Sequence, residues 1–223
     1  MYWLEFNGKN TQDYDLLIQS LTPKPRPQKR FAEIIVDGRH GTLTVTDDTY
    51  SPFSWSQEFV LTNLSRLAEV KALFSSSGKL VTSDNPNKFY NAKAFESMAV
   101  ENINHAWKKV TVQFYVQPFC YATTQETIFL EEAGMIYNIG DVEAQPIITV
   151  YGAGDLTVYV NGQGLKVKNV VESAIVDCQN LLAYEGMLPR LTVGDFPVLQ
   201  TGENTISFNV ATKIDIAPNW RWF

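Results

Sequence analysis

Val110-Thr111-Val112-Gln113-Phe114-Tyr115-Val116-Gln117-Pro118-Phe119 is the stretch on which the fold turns. Val110, Val112, Phe114 and Val116 fall on one side of an extended chain, and Thr111, Gln113, Tyr115 and Gln117 on the other. A period of two with branched and aromatic residues predicts a strand with one buried face, closed by Pro118. The same texture recurs outward in both directions. Leu4 and Phe6 alternate before an Asn7-Gly8 turn, and Tyr14–Ser20, Phe31–Val36, Thr42–Thr46, Phe53–Leu61, Lys79–Ser83 and Phe89–Phe95 read as strands. Beyond residue 140, strands are expected at Pro146–Tyr151, Asp155–Val160, Leu165–Val170, Ala174–Cys178, Thr205–Val210 and Lys213–Ile216. Asn161-Gly162-Gln163-Gly164 supplies a hairpin signal. Leu64–Ser77 alone reads as a helix: Leu64, Leu67, Val70 and Phe74 share a face, Thr62 or Asn63 caps the start, and Gly78 stops the end.

The chain of 223 residues is 45% apolar and 19% charged, enough to bury a core and too apolar for disorder. A net charge of −6 argues against bulk nucleic-acid binding and anionic membranes. Met1–Asn10 carries no leader pattern and no stretch has the length of a membrane span, so a soluble cytoplasmic protein is expected. Cys120 and Cys178 are expected to be buried, reduced thiols. Residues Tyr121–Gly140 are less patterned and are taken as a junction between a domain over 1–125 and a second over 126–223.

Chemistry has little to work with. His40 lies in a turn and His105 in a polar stretch, with no G-x-S-x-G elbow, no C-x-x-C and no H-E-x-x-H. Asp13 with Asp15, and Asp47 with Asp48, are better read as turn formers than as metal or glycosidase carboxylates. Gly152-Ala153-Gly154 opens no helix and so makes no phosphate cradle. No catalytic, metal or cofactor site is expected. The run Thr22-Pro23-Lys24-Pro25-Arg26-Pro27-Gln28-Lys29-Arg30 forbids a helix and predicts a stiff, extended, basic arm. Three readings stay open for it: contact with an acidic neighbouring subunit, plain solvation, and phosphate binding. Trp220-Arg221-Trp222-Phe223 could stack on sugars, but three large aromatics fit a core or an interface better.

Several of these pieces, in order, resemble the distal tail proteins (Dit) of long-tailed siphoviruses, phages or prophages of Gram-positive bacteria. They are the proline-basic run leading to Asp37-Gly38-Arg39-His40-Gly41-Thr42-Leu43 with Tyr50; Lys88-Phe89-Tyr90-Asn91-Ala92; Val112–Phe119; and Gln145–Gly152 with Gly154-Asp155. Asp195-Phe196-Pro197, Gly202-Glu203-Asn204 and Pro218-Asn219-Trp220-Arg221-Trp222 complete the set. Asp37 and His40 depart from the family's turn, which favours proline and an acid there.

The resemblance implies an all-β fold with one helix in the N-terminal domain. It pairs a tail-tube-like β-sandwich with a C-terminal galectin-like β-sandwich, and lets the last strand, near 213–223, return to the first domain. It implies a homo-hexameric ring, the hub of the baseplate, at the virion tail tip, assembled in the host bacterial cytoplasm. The ring would join the tail tube protein to a tail-associated or tail-fibre protein and the host-adsorption apparatus, including a receptor-binding protein. The genome would pass through the channel without sequence-specific contact, and no membrane would be engaged. We expect Thr22–Tyr50 to clasp the adjacent subunit, with Lys24, Arg26, Arg30, Arg39 and Tyr50 as contact residues. The competing readings are a carbohydrate-binding module for a host cell-wall polysaccharide and a wall-degrading hydrolase.

Overall fold

The computed structural model describes residues 1–223, except the side chains of Asp48 and of residues 95–97, so half of the Asp47–Asp48 pair lies outside the described residues. Strands dominate, and the contacts group the chain into two compact units: Met1–Thr123 with Phe223, and Thr124–Trp222.

The first unit is built on β1 (Leu4–Phe6), β2 (Lys9–Asn10), β3 (Leu16–Leu17), β4 (Lys29–Ile35), β5 (Thr42–Tyr50), β6 (Phe53–Leu61), α1 (Leu67–Leu73), β7 (Ser77–Thr82), β8 (Asn85–Asn102) and β9 (Lys108–Ala122). Seven strands of this unit pair side by side in the order β2-β1-β7-β8-β9-β6-β3. A bridge between Tyr2 and Ile18 ties its two ends, so one sheet curls round the core and leaves little open edge. Val110, Val112, Phe114 and Val116 are buried inside, as the period-two pattern requires. Phe114 stands at the centre, 5.8 Å from Phe6, 5.5 Å from Trp55 and 5.7 Å from Phe74, measured between ring centroids. Such ring pairs add about 0.5–1.5 kcal/mol each beyond area burial.

Three expectations change. β9 does not stop at Pro118 but runs on to Ala122. Opposite Tyr90–Ala92 the β9 register advances from Cys120 to Val116, so Pro118 lies in an irregularity where the ladder does not need its missing donor. The helix is shorter than Leu64–Ser77. A 3-10 turn over Leu64–Arg66, capped by Asn63, leads into α1, which buries Val70 and Leu73 beside Phe74. Gly78 does not end it but sits in β7, where a Cβ would lie 1.4 Å from Asn7 Oδ1. Asn7 needs that space: its Oδ1 accepts from Lys79 N (3.2 Å) and its Nδ2 donates to Ser77 O (3.2 Å). Of Tyr14–Ser20 only Leu16–Leu17 pairs as strand, because Thr11–Tyr14 forms a 3-10 turn ended by Asp15 in the left-handed region.

The second unit is a sandwich built on β10 (Ile128–Leu130), β11 (Gly134–Asn138), β12 (Ile147–Tyr151), β13 (Gly154–Val160), β14 (Gln163–Val170), β15 (Ser173–Asp177), β16 (Leu182–Glu185), β17 (Leu188–Pro189), β18 (Thr192–Val193), β19 (Gly202–Asn209) and β20 (Lys213–Ala217). One sheet has the order β10-β20-β12-β15-β16-β17 and the other β11-β19-β13-β14-β18. Ile148, Val150, Leu156, Val158, Leu165, Ile206, Ile214 and Ile216 belong to the core they enclose. Asn161 (φ +52°) and Gly162 (φ +83°) join β13 to β14 in a two-residue hairpin turn, the left-handed pair that Asn-Gly tolerates. The stretch read as an unpatterned junction holds β10 and β11, whose three and five residues are too short to show a period.

Candidate assembly interface

The proline-rich arm is fixed at its root by two side chains of β6. Trp55, Gln57, Phe59 and Leu61 all point inward and are buried. Gln57 is polar at an apolar position, and the arm explains it. Its Oε1 accepts from Thr22 N (2.9 Å), and its Nε2 donates to Ser20 O and Glu58 O (both 2.9 Å). Trp55 Nε1 donates to Thr22 O (2.9 Å), so both backbone groups of Thr22 are held. Two residues on, Lys24 Nζ donates to Thr82 Oγ1 (2.9 Å), pairs with Asp84 at 3.2 Å, and lies 5.4 Å from the Trp55 ring and 5.8 Å from that of Tyr90. Burial works against the Asp84 carboxylate, but the Thr82 hydrogen bond and the Lys24 charge hold it below its ordinary range. Burial, with Cys120 beside it, pushes the Tyr90 phenol up.

A stem follows. Ser51 N donates to Gln28 O (2.8 Å), and Lys29 pairs with Tyr50 in register. The Tyr50 ring lies 5.4 Å from Phe119 and 5.1 Å from Phe223, which are 5.8 Å from each other. The Arg26 guanidinium lies over the Phe223 ring, 4.6 Å from its centroid.

Past the stem, β4 and β5 form a two-stranded ribbon that, among the described residues, pairs with no other strand. An irregularity in the register between Lys29 and Phe31 separates the two parts. Asp47 stiffens that point: its Oδ1 accepts from Thr49 N (3.0 Å) and Thr49 Oγ1 (2.6 Å). Those bonds, and then the Arg30 charge, lower the Asp47 pKa. Ala32 faces Val45 and Ile34 faces Leu43 across the ribbon, making one wholly apolar face. The other face carries Phe31, Glu33 and Ile35, opposite Thr46, Thr44 and Thr42. All of β4 is exposed, Ile35 to 81% and Phe31 to 61%. Arg39 and His40 lie exposed in the connecting turn, where Gly38 and Gly41 both take φ +80°.

The five residues expected to meet a neighbour therefore occupy three places. Lys24 is part of the root, Arg26 and Tyr50 belong to the stem, and Arg30 and Arg39 are on the ribbon and its turn. Gln57 is not among the expected residues, although a glutamine in phase with Trp55, Phe59 and Leu61 is a legible signal. Phe223 joins the stem with no local pattern to announce it.

The second unit has two polar features on or near its surface. Glu185 on β16 accepts from Val171 N, Glu172 N (2.8 Å) and Ser173 N, and pairs with Arg190. Those backbone donors, with Arg190, hold its pKa down at about 2. On the other sheet edge Phe129, 70% exposed, is in register with Asp215 of β20. Tyr151 donates its hydroxyl to Asp215 Oδ2 (2.7 Å), and Asp215 Oδ1 is the buried side-chain oxygen without a partner among the described residues.

Cys120 and Cys178 are buried and not joined in a disulfide, and burial pushes the Cys178 thiol up to about 12. His40 and His105 are both exposed. Among the described residues no three His, Cys, Asp or Glu side chains gather as a metal site. Among the described residues no helix is long and apolar enough to cross a membrane.

The chain is a two-unit all-β protein with an exposed two-stranded ribbon. A solved structure shares that architecture end to end. The chain is similar to the SPP1 Dit protein (gp 19.1), described as a paradigm of the hub adsorption apparatus in Gram-positive-infecting phages. The TM-score is 0.78 at 16% identity, over 97% of this chain and 98% of that one. No family model matches the chain, and no curated protein matches it.

Proposed function

We propose that this chain is a structural protein of a phage tail, a Dit-like hub without enzymatic activity, placed at the tail tip. The full-length likeness to SPP1 Dit supports the tail role. The observation that carries the mechanism is the uncovered apolar ribbon. A two-stranded hairpin is marginal in water, and an exposed apolar strand edge invites association. The face made by Ala32, Ile34, Leu43 and Val45 is stable when a second copy of the chain covers it. Repeated head to tail, that contact closes a ring, and six copies is the number the resemblance implies. The ribbon strands and their turn carry Lys29, Arg30 and Arg39 against Glu33, Asp37, Asp47 and Asp48, so the contact rests on the apolar face rather than on net charge. The root and stem give the ribbon a fixed departure from the first unit, which lowers the entropy lost on docking. In this reading the first unit, near residues 1–125, builds the ring against the tail tube protein. The galectin-like second unit carries the tail-associated and receptor-binding proteins. The assembly experiment is light scattering with negative-stain imaging. Intact chain forms rings, alone or with its tail neighbours, and deletion of Pro23–Arg30 leaves monomers with the second unit folded. An unchanged ring after that deletion contradicts the clasp.

A second reading has one observation in its favour. Phe129 stands exposed beside Asp215, whose carboxylate is oriented by Tyr151, and an aromatic ring next to a carboxylate suits a sugar. A cell-wall glycan screen decides it: specific binding abolished by Phe129→Ala supports a carbohydrate module, and no binding removes it.

A further inference from the structure

We infer that Phe223 is a positioning residue for the docking ribbon: it closes the stem by wedging between Arg26, Tyr50 and Phe119, and so sets the direction in which the ribbon leaves the first unit. The inference rests on the ribbon being the docking element.

The geometry supports it from both sides of the stem. Arg26 precedes β4 and Tyr50 ends β5, so the two strands of the ribbon enter and leave through residues that touch the same ring. Phe119 belongs to β9 and fixes the third corner to the main sheet. Without Phe223 the stem loses three of its ring contacts and keeps, among others, the Tyr50–Phe119 edge contact, the Lys29 ammonium 5.8 Å from the Tyr50 ring, and the backbone pairing of Gln28 with Ser51. The register irregularity at Lys29–Phe31 lies just beyond, where a small rotation of the stem moves the far turn by a large arc. Phe223 is the residue at which the chain, after Trp222 of the second unit, rejoins the first. Its removal therefore need not disturb either core: the first clusters on Phe114 and its ring neighbours, and the second leaves Phe223 out.

Hydrogen exchange on the full chain tests this, with Phe223→Ala, Phe223→Tyr and the unsubstituted protein compared at low concentration. Losing two ring pairs and one cation–ring contact should raise the opening equilibrium of the stem by roughly tenfold or more. The expected result is faster exchange over Gln28–Ser51 in Phe223→Ala, recovery in Phe223→Tyr, and unchanged exchange in β6 and β9. A general loss of stability would accelerate exchange in β6 and β9 as well. Unchanged exchange over Gln28–Ser51, or acceleration spread evenly through β6 and β9, overturns the inference. Failure of the docking reading is distinguishable: Ile34→Asp alters the apolar face without touching the stem. If that variant still forms rings, the docking reading fails while the exchange result is unaffected.

Discussion

Replacing Gln57 by leucine removes the polar clamp at the arm's root while nearly conserving volume. Three hydrogen bonds go, to Thr22 N, Ser20 O and Glu58 O. The leucine itself suits its surroundings, since Trp55, Phe59 and Leu61 flank it inside the core. The cost therefore comes from the backbone groups left behind. Each net hydrogen bond is worth about 0.5–1.5 kcal/mol, and an unsatisfied buried group costs about 1–3 kcal/mol. Ser20 and Thr22 are exposed residues, so their freed backbone groups regain water once the root opens. That favours the lower end, about 1–3 kcal/mol in all, and makes the loss mainly local. It corresponds to roughly a 5- to 150-fold gain in root opening. Amide exchange at Thr22 in Gln57→Leu should accelerate by about that factor, with a smaller shift in the urea midpoint of the first unit. Trp55→Phe, which removes the indole donor to Thr22 O together with part of a buried ring, should also accelerate exchange at the same amide. Thr22 exchange unaltered in Gln57→Leu would refute the reasoning, because it would mean the arm is held by something other than this clamp.

Other perturbations probe other parts of the account. Gly78→Ala should expel the Asn7 side chain and cost about 1–2 kcal/mol by urea titration, whereas in an Asn7→Ala background it should be neutral or stabilising. Glu185 has a folded pKa of about 2, below its ordinary 4.5. Its contribution is therefore present above about pH 4.5 and lost as the pH falls through 2. Glu185→Gln should flatten the acid limb of the second unit's thermal stability, and an identical acid limb would contradict that. Cys178, buried with its thiol pushed up to about 12, should react with a thiol reagent at neutral pH only after unfolding.

Much of the fold was legible because period-two alternation is a local signal that burial enforces. β9 and the Asn161-Gly162 hairpin are examples, and Asn63 marked the helix start. The misreadings have physical causes. Pro118 looks like a terminator in sequence because the register irregularity that accommodates it depends on β8. Gly78 looks like a helix stop in sequence because its need for space comes from Asn7, 71 positions earlier. Short strands such as β10 and β17 are held by their neighbours, and two or three residues carry no period. At the candidate interface the sequence marked the arm and its charges, but not their destinations. Lys24 meets Asp84 and Thr82, and Phe223 meets Tyr50 and Arg26, through the folded chain alone. The apolar face of the ribbon was legible in composition, but its exposure was not, since alternating strands ordinarily bury one side.

The most direct measurement on the central claim places a photo-cross-linking amino acid at Leu43, on the ribbon's apolar face, in the full-length chain. Illumination of assembled protein should join one copy to the next, giving covalent products that climb in steps from dimer towards the closed ring. Addition of the Ile34→Asp substitution should abolish them. Assembled rings that yield only uncross-linked chains, or links only within a single chain, would contradict the account.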